Sequence, residues 1–284
     1  MRIKWSRYSI DFTKRTAVMG ILNMTPDSFS DGGCYLDKGL AVERAFRMAE
    51  EGADIVDIGG ESSRPGSEAV ALDEELKRVI PVIEAIASKL SVPVSIDTYK
   101  AEVARRAIDA GASIVNDISG LLFDNGMAKM VAECRVPVVL MHIRGTPRDM
   151  QRSPGYEALI PEIVDYLRTS IRIAEEAGID GSNIVIDPGI GFGKTAEHNL
   201  RILKDLAEFE VLQKPILVGV SRKAFIGRIL DDAATDQRLE GTAAAVSIAI
   251  MNGANIIRVH DVKEMAKAAK VADAIKRGKI ISEK

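Results

Sequence analysis

From Thr16 onward the chain alternates short runs rich in valine and isoleucine with longer segments of helical periodicity, and it does so eight times. Few folds accommodate that pattern. Repeated βα units build a parallel sheet, because each crossover must carry the chain back to the end from which the strands start. The predicted strands are 17–23, 54–59, 93–97, 113–117, 137–142, 183–187, 215–221 and 255–260. Most are apolar at successive positions, as strands buried on both faces are. Helices are expected over 38–51, 74–89, 100–110, 125–134, 157–177, 196–208, 238–252 and 262–276, with Gly52, Gly111, Gly178 and Gly253 as stops. With 284 residues, 46% of them apolar, the chain can bury one large core. The expectation is a single α/β domain over residues 1–284: a TIM (β/α)₈ barrel with a short N-terminal hairpin over residues 1–15 covering one end.

The connections are lopsided. Helix-to-strand links such as EGAD, DAGAS and NGAN are short, whereas TPDSFSDGGCYLDK, GESSRPGSEAVALD, IRGTPRDMQRSPGY and SRKAFIGRILDDAATD follow strands and are long and polar. In a barrel all of the long links open at the C-terminal face, where this architecture places its chemistry. The strands also end on Asn23, Asp57, Asp97, Asn116, His142, Asp187, Ser221 and Arg258. Any one strand leaving a core turns polar. Eight converging ends bring carboxylates, amides and a cation into one basin, which requires a ligand or a hydrogen-bonded network.

Several function classes are excluded or disfavoured. Acidic residues number 41 against 38 basic ones and neither sign forms a long block, so no global field attracts nucleic acid or an anionic membrane. The uncharged stretch from Gly241 to Ile257 is interrupted by Thr242, Ser247, Asn252, Gly253 and Asn255, and reads as a buried helix running into a buried strand rather than a membrane span. The segment MRIKWSRYSIDFTKR is charged throughout and lacks the apolar centre of a signal peptide, so a cytoplasmic location is expected. Cys34 and Cys134, far apart and without a CxxC pair, read as reduced thiols. GIGFGKT at 189–195 imitates a nucleotide phosphate loop, but that pattern needs glycine at 188, where Pro188 stands.

Four stretches are dense in functional side chains: MGILNMTPDSFSDGG, DIGGESSRPG, DPGIGFGKTAEHN and GVSRKAFIG. They resemble the signature segments of the dihydropteroate synthase family, and SIDTYK, IVNDISG, VLMHIRGTPRDMQ and RVHDV extend the resemblance from about Thr16 to Lys263. The resemblance implies a transferase of folate biosynthesis. In that reaction the amine of 4-aminobenzoate attacks the methylene of 6-hydroxymethyl-7,8-dihydropterin diphosphate, giving 7,8-dihydropteroate and pyrophosphate. It also implies Mg²⁺ as cofactor, a homodimer, and a barrel in agreement with the one read from the strand pattern.

The matching residues suit that chemistry. A pterin edge asks for acceptors and a donor, which Asp97, Asn116, Asp187 and Lys223 supply, with Met141 as an adaptable wall against the ring. The plain alternative for Asp97 and Asp187 is a structural ion pair. The resemblance places the diphosphate on Asn23, Ser63, Arg64, Arg258 and His260, with Asn23 contributing to the Mg²⁺ site. His260 follows Arg258 by two residues, so both side chains face the same side of a strand. For 4-aminobenzoate the matching positions are Phe29, Ser63, Pro65, Phe192 and Ser221; Phe192 and Pro65 sandwich the ring, and the helix after Ser221 favours the carboxylate. Lys223, Asp97, Arg258 and His260 are the expected catalytic set. His142 reads as a positioning or packing residue and His198 as an exposed helix residue.

Two departures from the family are small: Ser63 stands where threonine is common, and Cys34 follows the loop-one glycines. A pterin-dependent methyltransferase is the nearest enzyme alternative, opposed by the SRPG segment at 63–66 and by the Arg258 and His260 pair. A pterin-binding paralogue without synthase activity is an alternative that fold alone cannot separate.

Overall fold

In the computed structural model, which describes residues 1–25 and 38–280, the chain opens with β1 (Arg2–Trp5) and β2 (Tyr8–Asp11), an antiparallel hairpin with Trp5 opposite Tyr8. Then follow β3 (Ala17–Asn23), α1 (Lys38–Glu50), β4 (Ile55–Gly59), α2 (Leu72–Ile86), β5 (Val94–Asp97), α3 (Ala101–Asp109), β6 (Ile114–Asp117) and α4 (Met127–Cys134). The second half continues with β7 (Val138–Met141), α5 (Leu159–Glu176), β8 (Ile184–Asp187), α6 (Ala196–Lys204), β9 (Leu217–Val218), α7 (Ala224–Ile229), α8 (Leu239–Met251), β10 (Ile256–Val259) and α9 (Val262–Arg277).

Strands β3 to β10 pair in parallel and in chain order, with β10 returning to β3. The seam between β8 and β9 closes through a bridge of Ile186 to Ile216 and a 2.9 Å bond from the Ile186 N–H to the Pro215 carbonyl. The result is the expected eight-stranded barrel. Proline at 215 has no N–H, and residues 219–220 lie outside the ladder before the turn at Ser221, so the predicted strand 215–221 shrinks to two residues. The helix predicted over 196–208 ends at Lys204, and a 3₁₀ stretch follows over Leu206–Leu212.

The double apolarity of the strands resolves into two populations. Outward side chains, among them Val56, Ile58, Val138, Leu140, Ile184 and Ile257, pack under the helices in the main core. Inward ones near the start of seven of the eight strands, Met19, Ile55, Ile114, Val139, Val185, Leu217 and Ile256, form a second cluster with Ile3, Trp5 and Phe12 of the hairpin segment. The hairpin thus closes the N-terminal end of the barrel, as predicted for residues 1–15.

Two steps further along, the same inward faces carry Asp57, Asn116, Met141, Asp187 and Arg258. Register sets Asn23 beside Gly59, Gly59 beside Asp97 and Asp97 beside Asn116. Three polar strand ends therefore share one level at the open end.

Helix α8 departs from the expected buried helix. Thr242, Ala245, Val246, Ala249 and Ile250 are buried, but Ile248 and Met251 are exposed, because one side of α8 faces away from the barrel.

Candidate active site

The C-terminal end of the barrel holds a cavity of about 1100 Å³. Asn23, Ser63, Arg64, Pro65, Asp97, Asn116, Met141, Asp187, Phe192, Ser221, Lys223, Arg258 and His260 all line it. Phe29 and Cys34 lie outside the described residues. Of the other strand-end residues, Asp57 and His142 are buried behind the cavity wall.

At the centre of the cavity the opposite charges are paired across the barrel. The Arg258 guanidinium donates from Nε to Asp57 Oδ2 at 2.6 Å and from Nη2 to Asp97 Oδ2 at 2.5 Å, and Asn116 Nδ2 donates to the same Asp57 oxygen at 3.0 Å. The ion pair weighed as the plain alternative for Asp97 is therefore real, and it sits inside the cavity rather than apart from it. Burial pushes the Asp97 carboxyl up to about 7, against the pull of Arg258 and with the push of Asp57. Burial works against the charge on Arg258 too, but Asp57 and Asp97 outweigh it and raise its pKa above the usual range.

Asp187 has no such partner at bonding distance among the described residues. Its Oδ1 accepts from the Gly189 N–H at 2.7 Å, while burial raises its pKa to about 6, partly offset by that bond and by Lys223. Burial lowers Lys223 to about 8, with Asp187 opposing. The Lys223 ammonium stands 4.2 Å from the centre of the Phe192 ring, a cation–π contact. Gly191 makes room for it: a Cβ there would lie 3.1 Å from Lys223 Cδ, and its φ of +84° suits glycine. Met141 and Phe192 join Ile118, Ile143 and Met150 in an apolar patch beside the charges. The cavity thus offers acceptors, lysine and arginine donors and an apolar wall.

His260 lines the cavity with Arg258, on the side expected from their period-two spacing, and it also reaches Ser221. Its backbone N–H donates to Ser221 Oγ at 3.2 Å, and Nδ1 lies 3.0 Å from the same oxygen. Burial, then Arg258 and Arg222, lower its pKa to about 3, so the ring is neutral. With the serine hydroxyl donating to Nδ1, the proton resides on Nε2, leaving an N–H donor.

The segment read as a false phosphate loop is a strand-to-helix turn, and it is clamped from several sides. Gln151 Nε2 donates to the Gly191 carbonyl (2.8 Å), Asn199 Oδ1 accepts from the Gly191 N–H (2.7 Å), and Tyr156 OH donates to the Gly193 carbonyl (2.9 Å). Thr195 then caps α6: its Oγ1 accepts from the His198 N–H, and its own N–H donates back to His198 Nδ1. That capping role corrects the exposed placement expected for His198, which is half-buried against the edge of Tyr156.

Sequence reasoning missed two residues here. Lys194, almost fully buried, donates to the Phe192 carbonyl at 3.0 Å and lies 2.8 Å from His142 Nδ1. Burial holds its pKa well below the usual lysine range, and burial followed by Lys194 lowers His142 to about 2. His142 is thus a neutral ring held against Lys194 behind the cavity wall. Glu61 anchors the loop that carries Ser63, Arg64 and Pro65: it accepts from Tyr99 OH (2.7 Å), Lys100 Nζ (2.5 Å) and the Val70 N–H (2.9 Å). A lysine in a glycine-rich turn and a glutamate in a polar loop look solvated in sequence, and nothing local marks them otherwise.

Comparison with known proteins follows the same lines. The pattern of the family described as pterin binding enzyme matches residues 19–260. The chain is 50% identical to dihydropteroate synthase of Synechocystis sp. over 267 residues, covering 94% of this chain and 92% of that one. Among solved structures, Yersinia pestis dihydropteroate synthase with a sulfonamide drug complex superposes with a TM-score of 0.93 at 43% identity, covering 98% of this chain and 100% of that one. The Xanthomonas albilineans synthase in complex with 7,8-dihydropteroate gives 0.87 at 41%, covering 97% and 99%. With a cavity of matching chemistry at the open end of a matching barrel, the chain belongs to the pterin-binding enzyme family, as one of its dihydropteroate synthases.

Proposed function

We propose that the synthase reaction of this chain runs in the barrel-end cavity, with the dihydropterin seated on Asp97, Asn116, Asp187 and Lys223 and packed against Met141. The observation that carries the reading is the convergence of three acceptor side chains and one lysine on a single partly apolar basin. An aminopyrimidinone ring presents adjacent N–H donors with a carbonyl acceptor, the complement of that set. Asn23, Ser63, Arg64, Arg258 and His260 take the diphosphate. Arg258 keeps donor capacity beyond its two carboxylate bonds, and His260 adds a neutral N–H. Phe192 and Pro65 flank the 4-aminobenzoate ring, with Ser63 and Ser221 near its polar end; Phe29 rests on the family resemblance alone.

The bond between the methylene and the diphosphate oxygen breaks with its electrons leaving on pyrophosphate, and the dihydropterin ring takes up the positive charge. The amine lone pair of 4-aminobenzoate then forms the C–N bond, and the nitrogen gives up one proton to water. Arg258 and His260 stabilise the departing charge, Asp97 offsets the cationic pterin, and Lys223 orients both substrates. Mg²⁺, when bound, neutralises part of the diphosphate charge. Asn23 would hold it through its amide oxygen. Most of the remaining ligands of such a hard ion would be phosphate oxygens and water.

The test is pyrophosphate release from dihydropterin diphosphate and Mg²⁺, with and without 4-aminobenzoate, alongside detection of dihydropteroate. Release tied to product formation is expected. Tight pterin binding without turnover would leave a non-catalytic paralogue.

A homodimer and a cytoplasmic location belong to the same reading. The adjacent helices α8 and α9 expose Ile248 (52%), Met251 (46%), Val271 (61%) and Ile275 (67%), apolar area that a second copy would cover. Among the described residues no helix is long and apolar enough to cross a membrane. Light scattering should give the mass of two chains, and Ile275→Asp should give one.

A further inference from the structure

We propose that Asp57, which does not line the cavity, is a positioning residue: its carboxylate fixes the edge that Asn116 presents to the pterin and holds Arg258 against Asp97. The inference rests on the assignment of Asn116 and Asp97 to pterin binding.

The geometry leaves little choice. Asp57 is fully buried on the inward face of β4, two residues beyond Ile55 of the closed end. Its Oδ2 receives both the Asn116 amide and Arg258 Nε. A carboxamide has two nearly isosteric faces, and an asparagine with no fixed partner can turn either to a ligand. A carboxylate only accepts, so Asp57 selects the orientation in which one N–H points at it. The Asn116 oxygen and the second N–H then remain for the ligand as an acceptor beside a donor. An aminopyrimidine edge carries the complement, a ring-nitrogen acceptor next to an N–H. The same Asp57 oxygen sets the plane of the Arg258 fork, so that Nη2 meets Asp97.

Packing alone gives no reason for a carboxylate here. The other oxygen, Oδ1, is buried and has no hydrogen-bond partner, a costly arrangement that an apolar side chain like Ile55 would avoid. A buried charge at that cost is explained by what it orients.

The experiment measures binding of 6-hydroxymethylpterin, which has the ring edge and no leaving group, by titration calorimetry. Asp57→Asn keeps the shape, and should weaken binding about 30-fold, since hydrogen bonds to charged groups are lost. In turnover the KM for 4-aminobenzoate should stay within about twofold, a split that general loosening of the fold would not give. In an Asn116→Ala background the Asp57→Asn loss should shrink to a few-fold; full additivity would overturn the role toward Asn116. Unchanged pterin binding in folded Asp57→Asn would sink the proposal. If Asn116→Ala itself binds pterin normally, the site assignment beneath the proposal fails. Should Asp57→Asn not fold, the wild-type Asn116 side-chain amide decides by NMR: one protected and one free N–H is expected, and two freely exchanging protons refute it.

Discussion

The two ends of the barrel are built on the same strands and differ by two residues. Ile55 and Asp57, Ile114 and Asn116, Val139 and Met141, Val185 and Asp187, and Ile256 and Arg258 are successive inward positions of one strand each. At the lower position a hairpin bearing Ile3, Trp5 and Phe12 excludes water, and every side chain is apolar. At the upper position no comparable apolar plug is found among the described residues, and charges face each other across the lumen. What covers a barrel end, rather than anything intrinsic to its strands, decides whether its inward layer stabilises the fold or serves a ligand.

If that division is right, substitutions should separate by layer. The largest effect should come from the closed end: Trp5→Ala removes a buried aromatic from the plug and should cost about 3–5 kcal/mol in chemical denaturation, with kcat/KM of the folded enzyme unchanged. A matching loss of activity at low denaturant would show the ends to be coupled. Next, Asp97→Asn should lower kcat/KM about 100-fold, roughly 2.7 kcal/mol, with a melting temperature at or above that of the wild type. Full turnover would remove Asp97 from cation stabilisation.

pH should drive the two properties in opposite directions. Asp97 at about 7 and Asp187 at about 6 lie above the ordinary carboxyl value, so the folded state holds more protons than the unfolded one between roughly pH 4 and 7. Their contribution to stability is fullest at the acid side and is lost as pH rises through that window. With both acceptors required in the ionised form, kcat/KM should climb about tenfold per pH unit between about 6 and 7 and about a hundredfold per unit below 6. It should fall again above about 8, where Lys223 loses its proton. A flat acid limb would contradict the roles given to both carboxylates. The smallest effect should be that of Lys194→Met, which frees the Phe192 carbonyl and His142. A rise of about 3- to 10-fold in the KM for 4-aminobenzoate is expected, with pterin affinity nearly constant.

The fold was legible because its signals are local. Apolar run length, glycine stops and polar strand exits placed seven of the eight barrel strands to within one residue at each end. The exceptions have physical causes. β9 is short because Pro215 cannot donate to the ladder and residues 219–220 leave it before the turn at Ser221, and α6 gives way to a 3₁₀ stretch whose periodicity resembles its own. Site positions were named from motif and strand end, and the ones described share a cavity. Their partners were not named. Asp57 lies 201 residues from Arg258 and Asp97 lies 161 from it, separations that carry no local signal.

The sequence by itself determined the order of elements, the parallel barrel, the plugging hairpin and the family, since each depends on periodicity or contiguous residues. Only the tertiary structure decided which apolar strand residues face the lumen and which face the helices, because both kinds look alike in a strand buried on two sides. It also decided that Arg258 is shared between two carboxylates, that Lys194 is buried beneath Phe192, and that Glu61 ties down the loop holding Ser63 and Arg64. Those are long-range pairings, fixed by register and burial when the barrel closes.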